Sequence, residues 1–271
     1  MSLSSIAFIG GGNMASALIG GLLRSGWSAG AISVVEPAAE QRAALAARFG
    51  VQTLGEADTT LDHADCVVWA VKPQLFKAAA APCARHVGGA LQLSVMAGIR
   101  SGDIVQATGS ERVVRAMPNT PALIGEGMSG LFARAAVSAG ERSQVERLLA
   151  PTGQTLWVDR EEQLDAVTAL SGSGPAYVFY VLEALIEAGV TMGLSTAQSR
   201  QLALATFSGA TSLARDAVDA PEVLRQRVTS KGGTTHAAIT SLDADGVKAA
   251  FVRALQAAQR RAAELGDEFG C

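Results

Sequence analysis

The glycine-rich run Gly10–Ala15, which reads Gly-Gly-Gly-Asn-Met-Ala, is well suited to bind a phosphate and directly follows the apolar run Ile6–Ile9. Its first, third and sixth residues match the pattern G-x-G-x-x-A. In this pattern the first glycine allows a tight turn, and the second lets the main chain approach a pyrophosphate. The following helix start offers unpaired N–H groups to the phosphates. The residues predicted to contact a dinucleotide here are Gly10, Gly12, Asn13 and Met14. A merely tight strand–helix turn is the alternative.

A carboxylate stands at the position that a dinucleotide site requires. Glu36 ends the second apolar run, about twenty residues beyond the glycine turn, where it can accept hydrogen bonds from a ribose. Its charge also repels a 2′-phosphate, the next residues Pro37–Ala39 supply no phosphate anchor, and Arg42 is the nearest cation. These residues favour NADH over NADPH, whereas a solvated acid at a strand end is the alternative interpretation.

Small residues and a proline follow the apolar run that begins at Cys66. Ligands of open parallel sheets bind outside the carboxyl ends of the strands. We therefore predict that Ala70, Val71, Lys72 and Pro73 form a wall beside the nicotinamide, with the Lys72 cation suited to an anionic ligand. A strand end with a helix-starting proline explains Pro73 equally well.

Asn119 lies in a loop stiffened by Pro118 and Pro121. Its amide offers both a donor and an acceptor, and function concentrates on loops that are held in place. We predict that Asn119 binds the cofactor, with a rigid turn as the alternative.

The segment Thr229–Thr235 places two glycines among several hydroxyls immediately before a short helix. Backbone N–H groups converge at such a start, and a substrate carboxylate is the natural ligand for them. An ordinary capped helix start is the alternative. The residues predicted to bind the substrate here are Ser230, Gly232, Gly233, Thr234 and Thr235.

The elements that must position these residues alternate in the first half of the chain. Apolar runs predict strands at Ser5–Gly10, Ile32–Glu36, Cys66–Val71, Leu91–Val95, Arg112–Ala116, Met128–Phe132 and Thr155–Val158. Helical patterns between them cover Ala15–Ser25, Ala38–Phe49 and Gln74–Arg85. The alternation predicts a Rossmann-like, doubly wound, mostly parallel α/β sheet.

After Asp159 only helical patterns remain, at Ala166–Met192, Thr196–Ala214, Glu222–Val228, Thr235–Leu242 and Val247–Glu264. We therefore predict a dinucleotide-binding domain over residues 1–162 and an all-helical substrate and dimerisation domain over residues 163–271. The broad apolar faces of these helices would leave much surface uncovered in one subunit, which predicts a homo-oligomer.

Composition narrows the class of protein. Of the 271 residues 49% are apolar and 17% charged, and the net charge is −3, so a disordered chain and a general nucleic-acid surface are both disfavoured. No signal-peptide pattern opens the chain, and no uninterrupted apolar stretch is long enough for a bilayer. We expect a soluble cytoplasmic protein that binds neither nucleic acid nor membrane.

Cysteine and histidine patterns point away from a metal site. The cysteines Cys66, Cys83 and Cys271 are odd in number and widely spaced, and two of them lie in apolar patterns, which favours reduced core thiols. His63, His86 and His236 are too scattered for a metal site, and we expect none.

Four segments, in this order and with Phe8–Met14 before them, resemble the pyrroline-5-carboxylate reductase family: Ala70–Gln74, Val114–Ala122, Ala169–Phe179 and Val228–Thr235. The resemblance extends from Ile6 to about Glu264. It implies hydride transfer from NADH or NADPH to the imine carbon of 1-pyrroline-5-carboxylate, giving L-proline, and assembly as a dimer or as several dimers. It also places Ser173 at the substrate and gives the Thr235 hydroxyl a catalytic hydrogen bond to the ring nitrogen.

Two departures from the family pattern affect finer contacts. Lys231 stands where the family usually has proline, and Ala57 stands where it often has asparagine. A β-hydroxyacid dehydrogenase is one competing class, but the helix at Ala176–Met192 lacks the lysine that such enzymes use. A non-catalytic dinucleotide sensor is another, and it gives no reason for the glycine–threonine loop.

Overall fold

Residues 3–269 are described by a computed structural model, in which one sheet of eight strands organises the first part of the chain. The strands are β1 Ile6–Ile9, β2 Ile32–Val35, β3 Gln52–Leu54, β4 Cys66–Trp69, β5 Leu91–Ser94, β6 Val113–Met117, β7 Gly127–Ala133 and β8 Gly153–Trp157. Their order across the sheet is β3-β2-β1-β4-β5-β6-β7-β8, and every pair is parallel except β6 with β7. The predicted doubly wound, mostly parallel sheet is confirmed.

Helices follow or connect these strands and then form the rest of the chain. They are α1 Asn13–Arg24, α2 Ala39–Phe49, α3 Phe76–Val87, α4 Ser101–Thr108, α5 Ala139–Leu149, α6 Gln163–Val167, α7 Gly174–Thr191, α8 Thr196–Asp216, α9 Pro221–Arg227, α10 Thr234–Ala244 and α11 Val247–Phe269. A π-helical turn, Thr168–Gly172, interrupts the long helix predicted at Ala166–Met192 between α6 and α7.

The two faces of the sheet carry separate apolar cores, because side chains alternate along each strand. On one face Ile6 and Phe8 of β1 pack with residues of α1 and α5. On the other face Ala7 and Ile9 pack with residues of α3 and α4. Burial on both faces explains why the inner strands are continuous apolar runs.

A buried glutamine ties β4 to its neighbours. Gln92 of β5 accepts a hydrogen bond from the Trp69 indole N–H at 2.8 Å and donates to the carbonyls of Val87 and Ala90. Trp69 also packs edge-on against Phe76, with ring centroids 5.4 Å apart. The carboxyl end of β4, which leads into Ala70, is thereby held in one place.

Three elements of this part of the chain are absent from the sequence prediction. Strand β3 has three residues, too few for an apolar run to stand out. Helix α4 is also short, with eight residues. Helix α5 carries a detectable signal, because Ser138 and Glu141 form a reciprocal capping box at its start.

The chain divides into two compact units. The first comprises residues 1–174 with 258–271, and the second comprises residues 175–257. Domain boundaries at 162 and 163, as the sequence suggests, stay a prediction. Cys66 and Cys83 are free and buried, as predicted, whereas Cys271 lies outside the described residues.

The helical segment 163–191 is long and apolar enough, by length and composition, to cross a membrane, and 11% of its most apolar stretch is buried. Within residues 3–269 it is the one such segment. The sequence expectation rested on interruptions by glycine, glutamate, lysine or arginine. This segment contains no lysine or arginine, and it is apolar enough despite its glycines and glutamates. By length and composition, that expectation therefore does not hold.

A buried ion pair joins β6 to the chain just before α6. The Arg115 guanidinium donates to Glu161 at 2.8 Å, with only 5% of the arginine side chain exposed. Glu161 also accepts two 2.6 Å hydrogen bonds from the Ser101 N–H and hydroxyl. Burial raises the pKa of Glu161, but the Ser101 hydrogen bonds and the Arg115 charge outweigh it and hold this pKa below its ordinary value of 4.5.

We predict that Glu161→Ala lowers the free energy of unfolding by about 3–5 kcal/mol, because it leaves the Arg115 charge buried without a partner. Urea denaturation measures the change. The exposed pair between Glu111 and Arg134 provides the control: Glu111→Ala should cost less than about 1 kcal/mol. Equal effects of the two substitutions would contradict this account.

The same carboxylate gives the stability a pH dependence with a defined sign. Since the folded pKa of Glu161 is depressed, its contribution is present above the unfolded value of 4.5 and is lost as the pH falls through the folded pKa. The loss of unfolding free energy between pH 5 and more acidic conditions should be smaller in Glu161→Gln than in the wild-type protein.

Candidate active site

A cleft of about 480 Å³ lies at the carboxyl ends of β1, β2 and β4. The strand order reverses here, since the chain runs from β1 outward to β3 and then returns to β4 on the other side of β1. Open α/β sheets bind ligands at such a reversal. The cleft brings together six of the residues predicted to bind the cofactor: Gly10, Gly12, Glu36, Ala70, Val71 and Lys72.

Gly10 allows β1 and β4 to meet at the floor of this cleft. Its φ of +97° lies in the region that favours glycine, and a Cβ there would stand 2.8 Å from both the Ala70 carbonyl oxygen and Val71 Cγ1. No larger residue fits without moving the end of β4. The wall predicted at Ala70 and Val71 is therefore packed directly against the glycine turn.

Gly12 faces open space instead. A Cβ at this position would meet no atom of the described residues within 4 Å, although Gly12 is the N-cap of α1. The N–H group of Gly12 finds no backbone or side-chain acceptor within residues 3–269, and Asn13 and Met14 form the first turn of α1. Asn13 is exposed, whereas Met14 is half-buried against the core. The helix start thus offers N–H donors to a ligand of the cleft, as a pyrophosphate requires.

Glu36 is bound to the glycine turn by its own side chain. One carboxylate oxygen accepts from the Gly11 N–H at 3.0 Å, and the other accepts from the Ala38 N–H at 3.0 Å. The Arg42 guanidinium donates to the Glu36 and Pro37 carbonyls, both at 2.8 Å. The carboxylate therefore lies at the rim of the cleft with a fixed orientation, and the nearby cation is engaged with main-chain oxygens.

The remaining residues of the predicted wall differ in their placement. Lys72 is exposed and lines the cleft, whereas Pro73 begins a short 3₁₀ turn outside the set of lining residues. Cys83 also lines the cleft, which the sequence did not suggest, and burial raises the pKa of its thiol to about 11. Cys83 is accordingly a neutral apolar wall residue at physiological pH.

Asn119 lies outside the lining of the cleft, and its amide is used within the protein. Its oxygen accepts from the Met128 N–H at 2.9 Å, and its nitrogen donates to the Ser171 carbonyl and hydroxyl at 3.3 and 3.2 Å. The side chain ties the β6–β7 loop to the π-helical turn. Ser173 closes that turn by donating its N–H to the Thr168 carbonyl at 2.8 Å. A ligand role for either residue stays a prediction.

The predicted substrate loop belongs to the second compact unit. Gly232 has a φ of +77°, and Gly233 is the N-cap of α10, with Thr234 and Thr235 as its first two residues. Ser230 accepts the Gly233 N–H through its carbonyl, and no side chain of the described residues caps the helix. The loop therefore offers free N–H groups and hydroxyls, the donor set that suits a carboxylate. Lys231 is exposed in the same loop.

Metal ligands do not converge anywhere in residues 3–269, where no group of three histidine, cysteine, aspartate or glutamate side chains is arranged to hold an ion. A second cleft, of about 770 Å³, lies near the amino ends of the strands and is lined by Asp62, His86 and Arg112 among others. The strand reversal and the glycine turn are at the opposite ends of the strands, so the smaller cleft is the candidate dinucleotide site.

The fold and the cleft define a class of protein: an oxidoreductase with an NAD(P)H-binding, Rossmann-like sheet. Comparisons with known proteins agree with it. Residues 5–98 match the family model described as NADP oxidoreductase, coenzyme F420-dependent, and residues 161–265 match the one described as pyrroline-5-carboxylate reductase dimerisation.

Full-length relatives narrow the class to one family. The chain is 46% identical to the pyrroline-5-carboxylate reductase of Pseudomonas aeruginosa, with all of both chains covered. A pyrroline-5-carboxylate reductase structure from Coxiella burnetii is 36% identical, with a TM-score of 0.90 over 97% of this chain and 99% of that one. The Plasmodium falciparum pyrroline carboxylate reductase, solved with NADP bound, is 28% identical, with a TM-score of 0.87 over 98% and 99%. The chain belongs to the pyrroline-5-carboxylate reductase family.

The two glycines of the turn should respond differently to the same small change. Gly12→Ala should keep the wild-type Tm, because the new methyl group meets open space and φ is −72°, but it should weaken NADH binding about tenfold by filling the phosphate approach. Gly10→Ala should instead destabilise the fold by about 1–3 kcal/mol. Thermal unfolding and NADH fluorescence titration separate the two effects. Unchanged NADH affinity in Gly12→Ala would show that the phosphate does not bind beside Gly12.

Proposed function

We propose that this chain catalyses the reduction of 1-pyrroline-5-carboxylate to L-proline with NADH or NADPH. The observation that carries the proposal is the open, N–H-lined turn at Gly12 in a chain that belongs to this reductase family along its whole length. The nicotinamide supplies the hydride that the imine carbon takes up. The protein residues bind and orient the two ligands, which is where positioned groups gain most of their effect.

In the first unit, the N–H groups of Gly12, Asn13 and Met14 are assigned to the pyrophosphate and Glu36 to the adenosine ribose. The donor geometry of the α1 start supports the first assignment, and the fixed carboxylate at the cleft rim supports the second. Ala70 and Val71 form the wall near the reactive ring, and the Lys72 ammonium group adds a positive charge for the anionic ligand.

In the second unit, the start of α10 is assigned to the substrate carboxylate. Gly232 and Thr234 supply main-chain donors, while the Gly233 N–H is engaged by the Ser230 carbonyl and Gly233 gives the turn its shape. Ser230 adds a hydroxyl close to Gly233. Thr235 is assigned to the ring nitrogen, which must be protonated as the adjacent carbon receives the hydride. A threonine hydroxyl is too weak an acid to be a strong proton source, so its role is to orient the nitrogen or to relay a proton from water.

We also propose assembly through the second unit into a dimer, or into several dimers, and a soluble cytoplasmic location. Support for assembly comes from large apolar side chains that this unit leaves exposed, among them Phe179, Tyr180, Leu202 and Leu213, of which Tyr180 and Leu213 are each 72% exposed. Apolar side chains left exposed in such number are usual where a partner subunit covers them. A dimer interface would also cover the apolar segment 163–191 without a membrane.

A steady-state assay tests the proposed activity directly. The purified protein should oxidise NADH or NADPH only when 1-pyrroline-5-carboxylate is added, with L-proline formed in equal amount. Binding of the dinucleotide without turnover would contradict the reductase and would favour a dinucleotide sensor.

Thr235→Val tests the catalytic hydroxyl, because valine keeps the shape of threonine and removes only its hydrogen bond. Losing a bond to a charged or charging nitrogen should cost roughly 1.5–3 kcal/mol, or about one to two decades in kcat. The Kd of NADH should stay unchanged. Thr240→Val, at an exposed position of the same helix, is the matched control. Normal kinetics in Thr235→Val would show that water or a protonated substrate suffices.

Glu36→Ala tests the preference for NADH. Removing a negative charge near the 2′-phosphate position should raise the NADPH-to-NADH ratio of kcat/KM about three- to tenfold. Both cofactors should also bind more weakly, because the substitution removes the acceptor of the Gly11 N–H. Glu40→Ala, on the exposed first turn of α2, should leave the ratio unchanged. The same ratio in Glu36→Ala and wild type would show that the carboxylate does not face the ribose.

A further inference from the structure

Side chains form hydrogen bonds with both main-chain polar groups of Gly11, its N–H and its carbonyl. The Gly11 N–H donates to the Glu36 carboxylate at 3.0 Å, and the Gly11 carbonyl accepts from the Gln41 side-chain amide at 2.6 Å. Gly11 is buried, and a Cβ there would stand 2.5 Å from Leu45 Cδ1 of α2. The middle of the glycine turn is therefore bound to the end of β2 and to the first turns of α2.

The side chain of Gln41 does not make the hydrogen bond that is common at its position in a helix. It is the third residue of α2, where a glutamine side chain commonly bonds the N–H of the N-cap residue. Here the N-cap N–H, that of Ala38, is taken by the second oxygen of Glu36. The amide of Gln41 reaches across to the Gly11 carbonyl instead, a contact between residues 30 positions apart.

This contact sets the direction of a donor in the cleft. The peptide between Gly11 and Gly12 is trans and planar, so its carbonyl and its N–H point in opposite directions. With the carbonyl fixed on Gln41, the Gly12 N–H is turned away from α2, and it meets no acceptor within residues 3–269. The adjacent Gly11 N–H is occupied by Glu36 and is not available to a ligand.

We propose that Gln41 is a positioning residue for dinucleotide binding, acting through the Gly11 carbonyl to aim the Gly12 N–H at the pyrophosphate. Gln41 itself need not touch the ligand. Free rotation of the Gly11–Gly12 peptide would otherwise be easy, because two glycines impose little restriction on the main chain. The inference rests on the dinucleotide assignment of the proposed function, and it adds a residue that is absent from the glycine pattern.

Two variants of Gln41 separate aiming from packing. Gln41→Leu removes the donor and keeps the bulk, and Gln41→Glu keeps size and shape but sets a carboxylate against the Gly11 carbonyl. Equilibrium fluorescence titration without substrate should give a Kd for NADH about 3–10-fold higher in Gln41→Leu, and a larger increase in Gln41→Glu. NADPH should be affected by the same factor, because the pyrophosphate is common to both. The KM for 1-pyrroline-5-carboxylate should stay unchanged.

A pH titration provides a signature that a purely structural role would not give. In Gln41→Glu the new carboxyl group regains a donor when it is protonated, so its Kd for NADH should fall towards the wild-type value as the pH decreases towards the ordinary pKa of a glutamate carboxyl, about 4.3. The wild type and Gln41→Leu should lack that step. Gln154→Leu, at an exposed position of β8, is the matched control and should bind NADH normally.

Equal affinity of wild type, Gln41→Leu and Gln41→Glu would overturn the inference. That result differs from failure of the proposed function, in which the wild type binds NADH but does not reduce 1-pyrroline-5-carboxylate; the Gln41 effect on Kd would then still stand. A wild-type protein that bound neither dinucleotide would refute the cofactor assignment and this inference together.

Discussion

The close approach of the main chain at Gly10 to the end of β4 is the constraint on which the site depends. A Cβ at Gly10 would stand 2.8 Å from the Ala70 carbonyl oxygen. Two hydrogen bonds extend this contact: the Gly10 N–H donates to the Val35 carbonyl, and the Ala70 N–H donates to the Ile9 carbonyl. Three strand ends are thereby joined at one point. The position of the α1 start, the open space beside Gly12 and the wall at Ala70 all follow from this junction.

Glu36 has a structural role in the turn, and the proposed ribose contact would give it a recognition role as well, which would link cofactor preference to the shape of the turn. Each of its carboxylate oxygens has a main-chain N–H donor, so the charge is held in place rather than free to swing into solvent. A ligand that carries a 2′-phosphate meets a fixed negative charge, and moving that charge breaks two hydrogen bonds. On the proposed assignment, selection between NADH and NADPH at this position is therefore coupled to the geometry of the glycine turn.

Much of the fold was predictable because the sheet is buried on both faces. The inner strands must then be apolar runs, and all seven predicted strands fall within two residues of the observed ends, those of β1, β2 and β4 to β8. Strand β3 was not predicted, because Gln52–Leu54 is short and half-exposed at the edge of the sheet. The glycine pattern located the turn, since its residues have a main-chain role that local spacing encodes.

The contacts made by polar side chains across the fold were not predictable in the same way. Nothing near Gln41 in the sequence indicates that its amide meets the Gly11 carbonyl, because a polar residue in the first turns of a helix usually faces solvent. The cofactor role of Asn119 stays a prediction, and the sequence did not indicate that its side-chain amide forms hydrogen bonds with Met128 and Ser171, which lie 9 and 52 residues away along the chain. The buried pair of Arg115 and Glu161 is likewise 46 residues apart. Such pairings depend on the packing of distant elements, which local patterns do not encode.

We propose that two glycine-preceded helix starts bind the two ligands through free main-chain N–H groups. Amide hydrogen exchange, measured on the protein alone, with NADH, and with NAD⁺ and L-proline together, tests it most directly. We expect fast exchange at Gly12 and Asn13 in the free protein and slower exchange there with either dinucleotide. Exchange at Thr234 and Thr235 should slow only when L-proline is added. Unchanged exchange at all four positions, with protection instead around Asp62 and His86 in the larger cleft, would contradict this proposal.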